Sequence, residues 1–436
     1  MPHVALVACS GLRVKEVEMQ ELGMSLPALQ SRAVAISHLP SLGLLTLAGM
    51  TPSDWTQSYH EFDTSVQDVA NEILSIDPTV VAMSALTASI GDAYRLANLL
   101  RQAGAPVVIG GLHATSCPEE AARYCNSVVV GEGEPVWLKL LDDARAGRLE
   151  TRYERTAPFD LGHSPRPRFD LLPGGRRSRM TLQTQRGCPL SCDFCGASRL
   201  LGPFREKPLA LIDRELESIK RRGSSRMIEL ADDNTFAGNR DHAGFCDVFR
   251  NHGVKYFTEA DWRIASQPRL LENLAASGCV QVLVGVESLV HDHSGMGVKK
   301  ASFRRIMDAI DVIQDHGIAV LGCFIVGSDG ETPETIRRLG DLLLDCNLAE
   351  IQLTLLTPFP GTALFQQLKR QGRLLADRDW SHFTLFDVTF QPDKMEVHVL
   401  EEEFRGLVRK VFSDQASKRR LRIKRRIWTG GSPKCD

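Results

Sequence analysis

The residues with the clearest chemical meaning are three cysteines within the run Arg186-Gly187-Cys188-Pro189-Leu190-Ser191-Cys192-Asp193-Phe194-Cys195. The spacing puts three thiols in one short loop. A structural zinc ion takes four ligands, commonly as two Cys-x-x-Cys pairs, and the chain has no second pair. An ordinary iron-sulfur cluster is completed by four cysteines, so three thiols leave one iron of a [4Fe-4S] cluster without a protein ligand. That iron is open to a small chelating molecule. Gly187 and Pro189 suit a loop that turns sharply around a cluster. The competing reading is a chance grouping of buried or zinc-binding cysteines.

Such a loop needs a rigid element beneath it, and the pattern around it supplies one. From Met180 to about Gln371, six apolar runs alternate with helical stretches. The runs are Met180–Gln185, Arg226–Ala231, Tyr256–Ile264, Val280–Val286, Ile318–Val326 and Ile351–Leu356, and the helices include Pro208–Arg221, Ser302–His316 and Thr332–Leu344. Six strand-helix units predict an open, partial (β/α)6 barrel of the TIM type over 179–371, with its site at the carboxyl-terminal mouth. The cysteines directly follow its first strand.

Ahead of the barrel, residues 1–150 alternate short β-branched runs (Val4–Ala8, Val80–Ser84, Val107–Ile109, Ser127–Val130) with helices over Val66–Ile76 and Ile90–Gln102. Apolar strands spaced by helices predict a doubly wound, Rossmann-like parallel sheet, with ligands at its carboxyl edge. The Pro- and Arg-rich stretch 151–178 is expected to be a linker, and 372–436 a cap with a basic tail. The run Lys418–Arg426 is expected to be a solvated helix end.

An iron lacking a fourth ligand is what S-adenosylmethionine (SAM) needs: its amino and carboxylate groups chelate the iron and place the sulfonium beside an electron donor. Reductive cleavage then yields methionine and a 5'-deoxyadenosyl radical. The motif Cys-x-x-x-Cys-x-x-Cys resembles the signature of the radical SAM superfamily. The resemblance implies metal ligation by Cys188, Cys192 and Cys195, and other strand ends extend it. Phe194 offers a surface for the adenine. Asp232-Asp233-Asn234-Thr235-Phe236 closes the second strand, where the family places groups that hold the SAM amino group. Glu287 and Ser288 close the fourth strand, and Glu287 resembles the acidic residue facing SAM's polar end. Pro358, in Thr357-Pro358-Phe359-Pro360-Gly361-Thr362, resembles the segment near the adenine. Taken singly, each of these could be a turn or helix cap.

The first domain resembles the cobalamin-binding domain attached to one radical SAM branch. Ser84, Leu86 and Thr87 end one strand, Gly110 and Gly111 the next, and Gly131-Glu132-Gly133-Glu134 follows a third. Small residues at successive strand ends let a large flat ligand approach the backbone, and these positions with Glu132 are the expected cobalamin contacts. The Asp-x-His-x-x-Gly loop that gives a histidine to cobalt elsewhere is absent: Cys9-Ser10-Gly11-Leu12-Arg13 stands there instead. His113 is not at the ligand position and is expected in a loop.

The resemblance implies a radical SAM enzyme acting on a small or medium substrate, with methyl transfer from cobalamin to an unactivated carbon as its leading form. An external one-electron reductant such as flavodoxin or ferredoxin is implied. The alternatives are a cobalamin-independent reaction, such as cyclisation, rearrangement or the aminocarboxypropyl transfer of arsenic natural-product synthesis, or a non-enzymatic iron-sulfur or zinc protein. The extra cysteine-rich C-terminal motif of the arsenic enzyme is not matched, since only Cys435 stands in Ser432-Pro433-Lys434-Cys435.

The bulk numbers are compatible with this. At 436 residues and 43% hydrophobic, the chain has material for more than one core. Its 52 basic residues nearly balance its 54 acidic ones, so no whole-chain field calls for nucleic acid. The N-terminus lacks a secretion signal and no apolar run reaches the length of a membrane span, so a cytoplasmic location is expected. The remaining cysteines are scattered, which argues against a disulfide framework. Trp380, Phe383 and Phe386 are expected to form a small apolar cluster in the cap.

Overall fold

A computed structural model describes residues 1–9, 17–25, 39–61, 65–154, 157–173, 179–196, 200–223, 227–290 and 293–430. The chain builds two parallel sheets of six strands each.

The first sheet contains β1 His3–Cys9, β2 Thr56–Glu61, β3 Val80–Ala85, β4 Val107–Gly110, β5 Ser127–Val130 and β6 Arg152–Glu154, in the order β2-β1-β3-β4-β5-β6. The runs read from the sequence are its inner strands, buried on both faces and therefore continuously apolar. The two edges were not foreseen. β2 reads Thr-Gln-Ser-Tyr-His-Glu and β6 only Arg-Tyr-Glu, and neither carries an apolar run. β6 lies within the stretch expected to be a linker. The strand order reverses between β1 and β3, which makes their carboxyl ends the topological switch point where ligands bind in such sheets.

The second sheet runs in chain order: β7 Arg179–Leu182, β10 Met227–Leu230, β11 Lys255–Ala260, β12 Cys279–Glu287, β13 Ala319–Val326 and β14 Glu350–Leu355. Between β7 and β10 stands a separate antiparallel ribbon, β8 Gln185–Arg186 with β9 Arg205–Glu206. The helices between barrel strands begin and end on ordinary local signals. Ser302 caps Phe303–Asp315, and Thr332 with Thr335 forms a capping box on Pro333–Asp345.

One apolar core crosses from the first sheet into the barrel. It includes Leu6 and Leu45 of the first domain, Phe169 and Leu172 of the connecting segment, and Leu216 and Phe245 of the barrel helices. The connecting segment is pinned rather than slack. The Arg222 guanidinium donates to the carbonyls of Phe169, Leu172 and Pro173. Gly49 allows the chain at Arg166 to lie on the helix Leu42–Met50, since a Cβ there would stand 2.2 Å from the Arg166 oxygen.

The basic run near the C-terminus departs from its expected role. It lies within the helix Asp414–Thr429, and only one face is solvated. Arg419 donates to the carbonyls of Asp345 and Cys346 at a helix end, Lys424 pairs with Glu350, and Arg420 is buried. No described helix is long and apolar enough to cross a membrane. Residues 10–13 and 432–435, where two of the expectations fall, lie outside the described residues.

Candidate functional site

The three thiols open onto a cavity of about 310 Å³ at the carboxyl end of the barrel strands. Cys188, Cys192 and Cys195 line it together with Phe194, Asp233, Glu287 and Lys299. The loop that carries them is held from three sides. At its start, Asp232 accepts from the Thr184 N–H at 2.7 Å, the Gln185 N–H at 3.1 Å and the Thr235 hydroxyl at 3.0 Å. At its middle, the Ser191 and Asp193 N–H groups donate to the carbonyls of Gly295 and Ser294. Gly295 has φ +84°, and a Cβ there would sit 2.0 Å from the Ser191 oxygen, so only glycine allows this crossing. From the far side, the Leu364 N–H donates to the Asp193 carbonyl at 3.0 Å.

The ten described cysteines form no disulfide. Among the described residues no three ligating side chains converge closely enough for one metal ion. A cubane cluster asks for something else, because each thiolate binds a different iron and the sulfurs stand around the cluster rather than at one point. A loop of thiols spread along a cavity wall fits that donor set. Burial pushes the Cys192 thiol up to about 11, so loading of a metal has to displace a proton there.

In the same cavity, near Cys192, lies a buried ion pair. Lys299 donates to Glu287 at 2.6 Å, with both side chains under a sixth exposed. Burial alone would lower the Lys299 ammonium, but Glu287 overcomes it and holds it above the usual range. Glu287 is placed by strain: it sits at φ +67° beside a register shift between β12 and β13 that follows Gly285. Gly285 makes the room, since a Cβ there would come within 2.2 Å of the Glu287 carboxylate. Burial, with Asp232 beside it, pushes the Asp233 carboxyl up to about 6. A wall with an ammonium, several carboxylates and an aromatic ring near three thiols suits a zwitterionic ligand with a flat aromatic group, which is the chemical description of SAM.

The other expected barrel residues are placed less directly. Asp232 faces the loop it holds, not the cavity. Ser288 donates to Glu331 at 2.7 Å, and Glu331 in turn accepts from the Gly327 N–H. Pro358 is buried, while its neighbours Thr357 and Phe359 reach the cavity. Phe194 packs edge-on against His293, with ring centroids 4.5 Å apart.

Sequence reasoning missed Glu259 and Asp261 at the end of β11, Lys299, and Leu385. The strand-end rule would have found the first two. Nothing local marks Leu385, which returns from the C-terminal segment at φ +75° and accepts from the Leu355 N–H at 2.7 Å.

In the first domain the carboxyl ends of β3 and β4 carry Ser84, Leu86, Thr87, Gly110 and Gly111. Leu86 is 47% exposed, an apolar ledge at the switch point. Gly111 has φ +98° and lies against Ser84, where a Cβ would be 3.0 Å from the hydroxyl oxygen. A bare glycine end beside an exposed leucine fits the broad face of a corrinoid. His113 is not a loop residue: it lies in the short helix Leu112–Ser116, fully buried, with Nε2 3.5 Å from Glu120 and its ring against Trp380. Glu120 also accepts from the Trp380 indole N–H at 2.9 Å, which fastens the C-terminal segment to the first domain. Glu132 has a different task from the one expected, since its carboxylate is taken up by Arg186, Arg205 and the Phe159 N–H.

A doubly wound sheet joined to a six-stranded partial barrel with three thiols at its mouth defines a class of protein that handles an iron-sulfur cluster and a second, flat cofactor. Similarity to known proteins identifies it further. Residues 32–140 match the family described as B12 binding domain, and residues 182–343 match the Radical SAM superfamily. The chain belongs to the radical SAM superfamily and carries an N-terminal cobalamin-binding-type domain. It is 26% identical over 358 residues to the bacteriochlorophyllide d C-12(1)-methyltransferase of Chlorobaculum tepidum, covering 80% of this chain and 78% of that relative. Among solved structures it resembles OxsB, a cobalamin-dependent SAM radical enzyme, with TM-score 0.70 and 14% identity over 92% of this chain. The chain spans 66% of OxsB's length, just under two thirds. It also resembles the methyltransferase TsrM from Kitasatospora setae, with TM-score 0.63 and 16% identity over 95% of this chain and 89% of TsrM. At those identities the structural likeness speaks for the fold.

Proposed function

We propose that the protein is a cobalamin-dependent radical SAM methyltransferase that modifies an unactivated carbon of a small or medium substrate. The observation that carries this reading is the cavity in which the three thiols share walls with the Lys299–Glu287 pair, in a chain whose first sheet ends at Gly110 and Gly111 beside the exposed Leu86. When bound, the cluster and SAM supply a deoxyadenosyl radical and cobalamin supplies the methyl group.

The chain's own residues bind and orient. Cys188, Cys192 and Cys195 hold the cluster. Lys299 would face the carboxylate end of SAM, Asp233 and Glu287 its amino group, and Phe194 and Phe359 its adenine. Leu283, Ile325 and Leu385 keep water from the reacting centre. An unactivated carbon is no nucleophile, so the site needs no base and nucleophile pair. The relative's name, a methyltransferase acting on a bacteriochlorophyllide, supports carbon methylation as the reaction type. An external one-electron reductant such as flavodoxin or ferredoxin would complete the system.

The test uses protein reconstituted anaerobically with iron and sulfide, reduced, and mixed with SAM. It is expected to form 5'-deoxyadenosine and to retain hydroxocobalamin through desalting with a shifted visible spectrum. A variant with all three of Cys188, Cys192 and Cys195 changed to Ala is expected to lose both iron and deoxyadenosine formation. Wild-type protein that yields neither deoxyadenosine nor methylthioadenosine would overturn the enzymatic reading. A free-cofactor spectrum that washes away would remove cobalamin from it.

A further inference from the structure

The cysteine segment leaves β8 at Gly187 and returns at β9, and those two short strands pair with Arg186 opposite Arg205. Like charges facing each other across a ribbon repel. The ribbon does not supply its own counter-charge, because the Glu206 carboxylate accepts from Arg240. The counter-charge comes from the other domain. Glu132 accepts from Arg186 and from Arg205, the latter at 3.0 Å, and Glu134 accepts from Arg186 at 2.7 Å. All four side chains are less than a fifth exposed. Burial alone would raise the Glu132 carboxyl, but Arg205, the Phe159 N–H and Arg186 overcome it and hold it below the usual range.

The turn that presents the two carboxylates is itself fixed. It follows β5, with Gly131 at φ +80° donating to the Thr115 hydroxyl at 3.0 Å. Gly133 lies so close to Leu47 that a Cβ would come within 3.2 Å of it. These carboxylates therefore move only with the first domain's strand-end loops, and Arg186 stands two residues before Cys188.

We infer that Glu132 and Glu134 are positioning residues that couple the ligand-binding edge of the first sheet to the cluster loop through Arg186, so that occupancy of that edge by a corrinoid is felt at the cluster. The inference rests on the reading above, in which that edge takes cobalamin. A broken coupling leaves both cofactors bound and removes only the influence of one on the other, and this separates it from a purely structural contact.

The test compares full-length wild-type, E132Q, E132D and E134Q proteins, each reconstituted with cluster and examined with and without hydroxocobalamin. The readouts are iron content, the EPR spectrum of the reduced cluster, and the rate of deoxyadenosine formation. In the wild type, hydroxocobalamin is expected to change both the EPR line shape and the rate. In E132Q the cluster and the corrinoid are retained, the EPR change is lost, and the corrinoid-loaded rate falls about tenfold, as when an outer partner of a metal ligand is removed. E132D, which keeps the charge, restores the response. Should E132Q fail to hold its cluster, E134Q carries the test, since it leaves the Arg205–Glu132 pair in place. A wild type loaded with both cofactors whose cluster is indifferent to the corrinoid overturns the coupling alone, and so does a wild-type response in E132Q or E134Q. A wild type that loads neither cofactor overturns the proposed function and this inference with it.

Discussion

The two ligand-facing edges of this molecule are built in opposite ways. The barrel mouth is lined with charge held under burial: Lys299 on Glu287, Asp233 beside Asp232, three thiols on a strapped loop. The carboxyl edge of the first sheet carries almost no charge of its own toward the ligand side, only Ser84, Leu86, Thr87 and two glycines. Its carboxylates, Glu120 and Glu132, are spent on Trp380 and on Arg186 and Arg205. A charged, zwitterionic ligand needs the first kind of wall. A broad, mostly neutral ring needs the second, where shape and backbone approach do the recognition.

The contrast is most exposed at Lys299. Changing Lys299 to Met leaves Glu287 buried without its partner, and breaking a buried pair in this way costs about 3–5 kcal/mol. The K299M variant is expected to unfold at a markedly lower denaturant midpoint and to bind SAM weakly. The double variant E287M/K299M removes both charges and is expected to regain most of the stability but none of the SAM affinity. If K299M loses neither stability nor SAM binding, the barrel wall does not work through charge, and the difference between the two edges dissolves.

A smaller effect is expected at the other edge. In the G111A variant an L-residue is forced to φ +98°, where such strain costs about 1–3 kcal/mol, and its Cβ presses toward the Ser84 hydroxyl. Corrinoid retention should fall, while iron content and the deoxyadenosine formation measured without corrinoid stay at wild-type level. A loss of cluster in G111A, measured by iron content and visible absorption, would mean that the two edges are not separately addressable.

The same contrast explains what the sequence revealed. Inner strands such as Val107–Gly110 and Ala319–Val326 are legible because burial on both faces forces a continuous apolar run. β2 and β6 sit at sheet edges, where that pressure is absent, and they read as polar loop. The cysteines were legible because metal chemistry fixes their spacing within one loop. Lys299 and Leu385 were not, because each reaches the cavity from a segment whose local pattern says nothing about a ligand. Glu132 misled for a related reason: its glycine-flanked strand-end position suggests a ligand contact, while its partners, Arg186 and Arg205, lie more than fifty residues away. His113 looked like a loop residue since only the fold brings Glu120 and Trp380 around it.

Leu385 offers the finest test of where the barrel wall ends. Its φ of +75° is a conformation that costs an L-residue about 1–2 kcal/mol, and the hydrogen bond from the Leu355 N–H holds it there. In the L385G variant the strain disappears. Glycine also adds freedom to the unfolded chain, worth about 0.5–1 kcal/mol in the other direction, and a half-buried side chain is lost. These terms nearly cancel, so thermal unfolding should shift stability by less than about 1 kcal/mol. The cavity, however, opens toward solvent, and deoxyadenosine formed without substrate is expected to rise as water and small donors reach the centre. If L385G instead unfolds far more readily, the leucine serves the core of the C-terminal segment. The neutral wall of the cavity would then have to be drawn at Ile325 and Phe359.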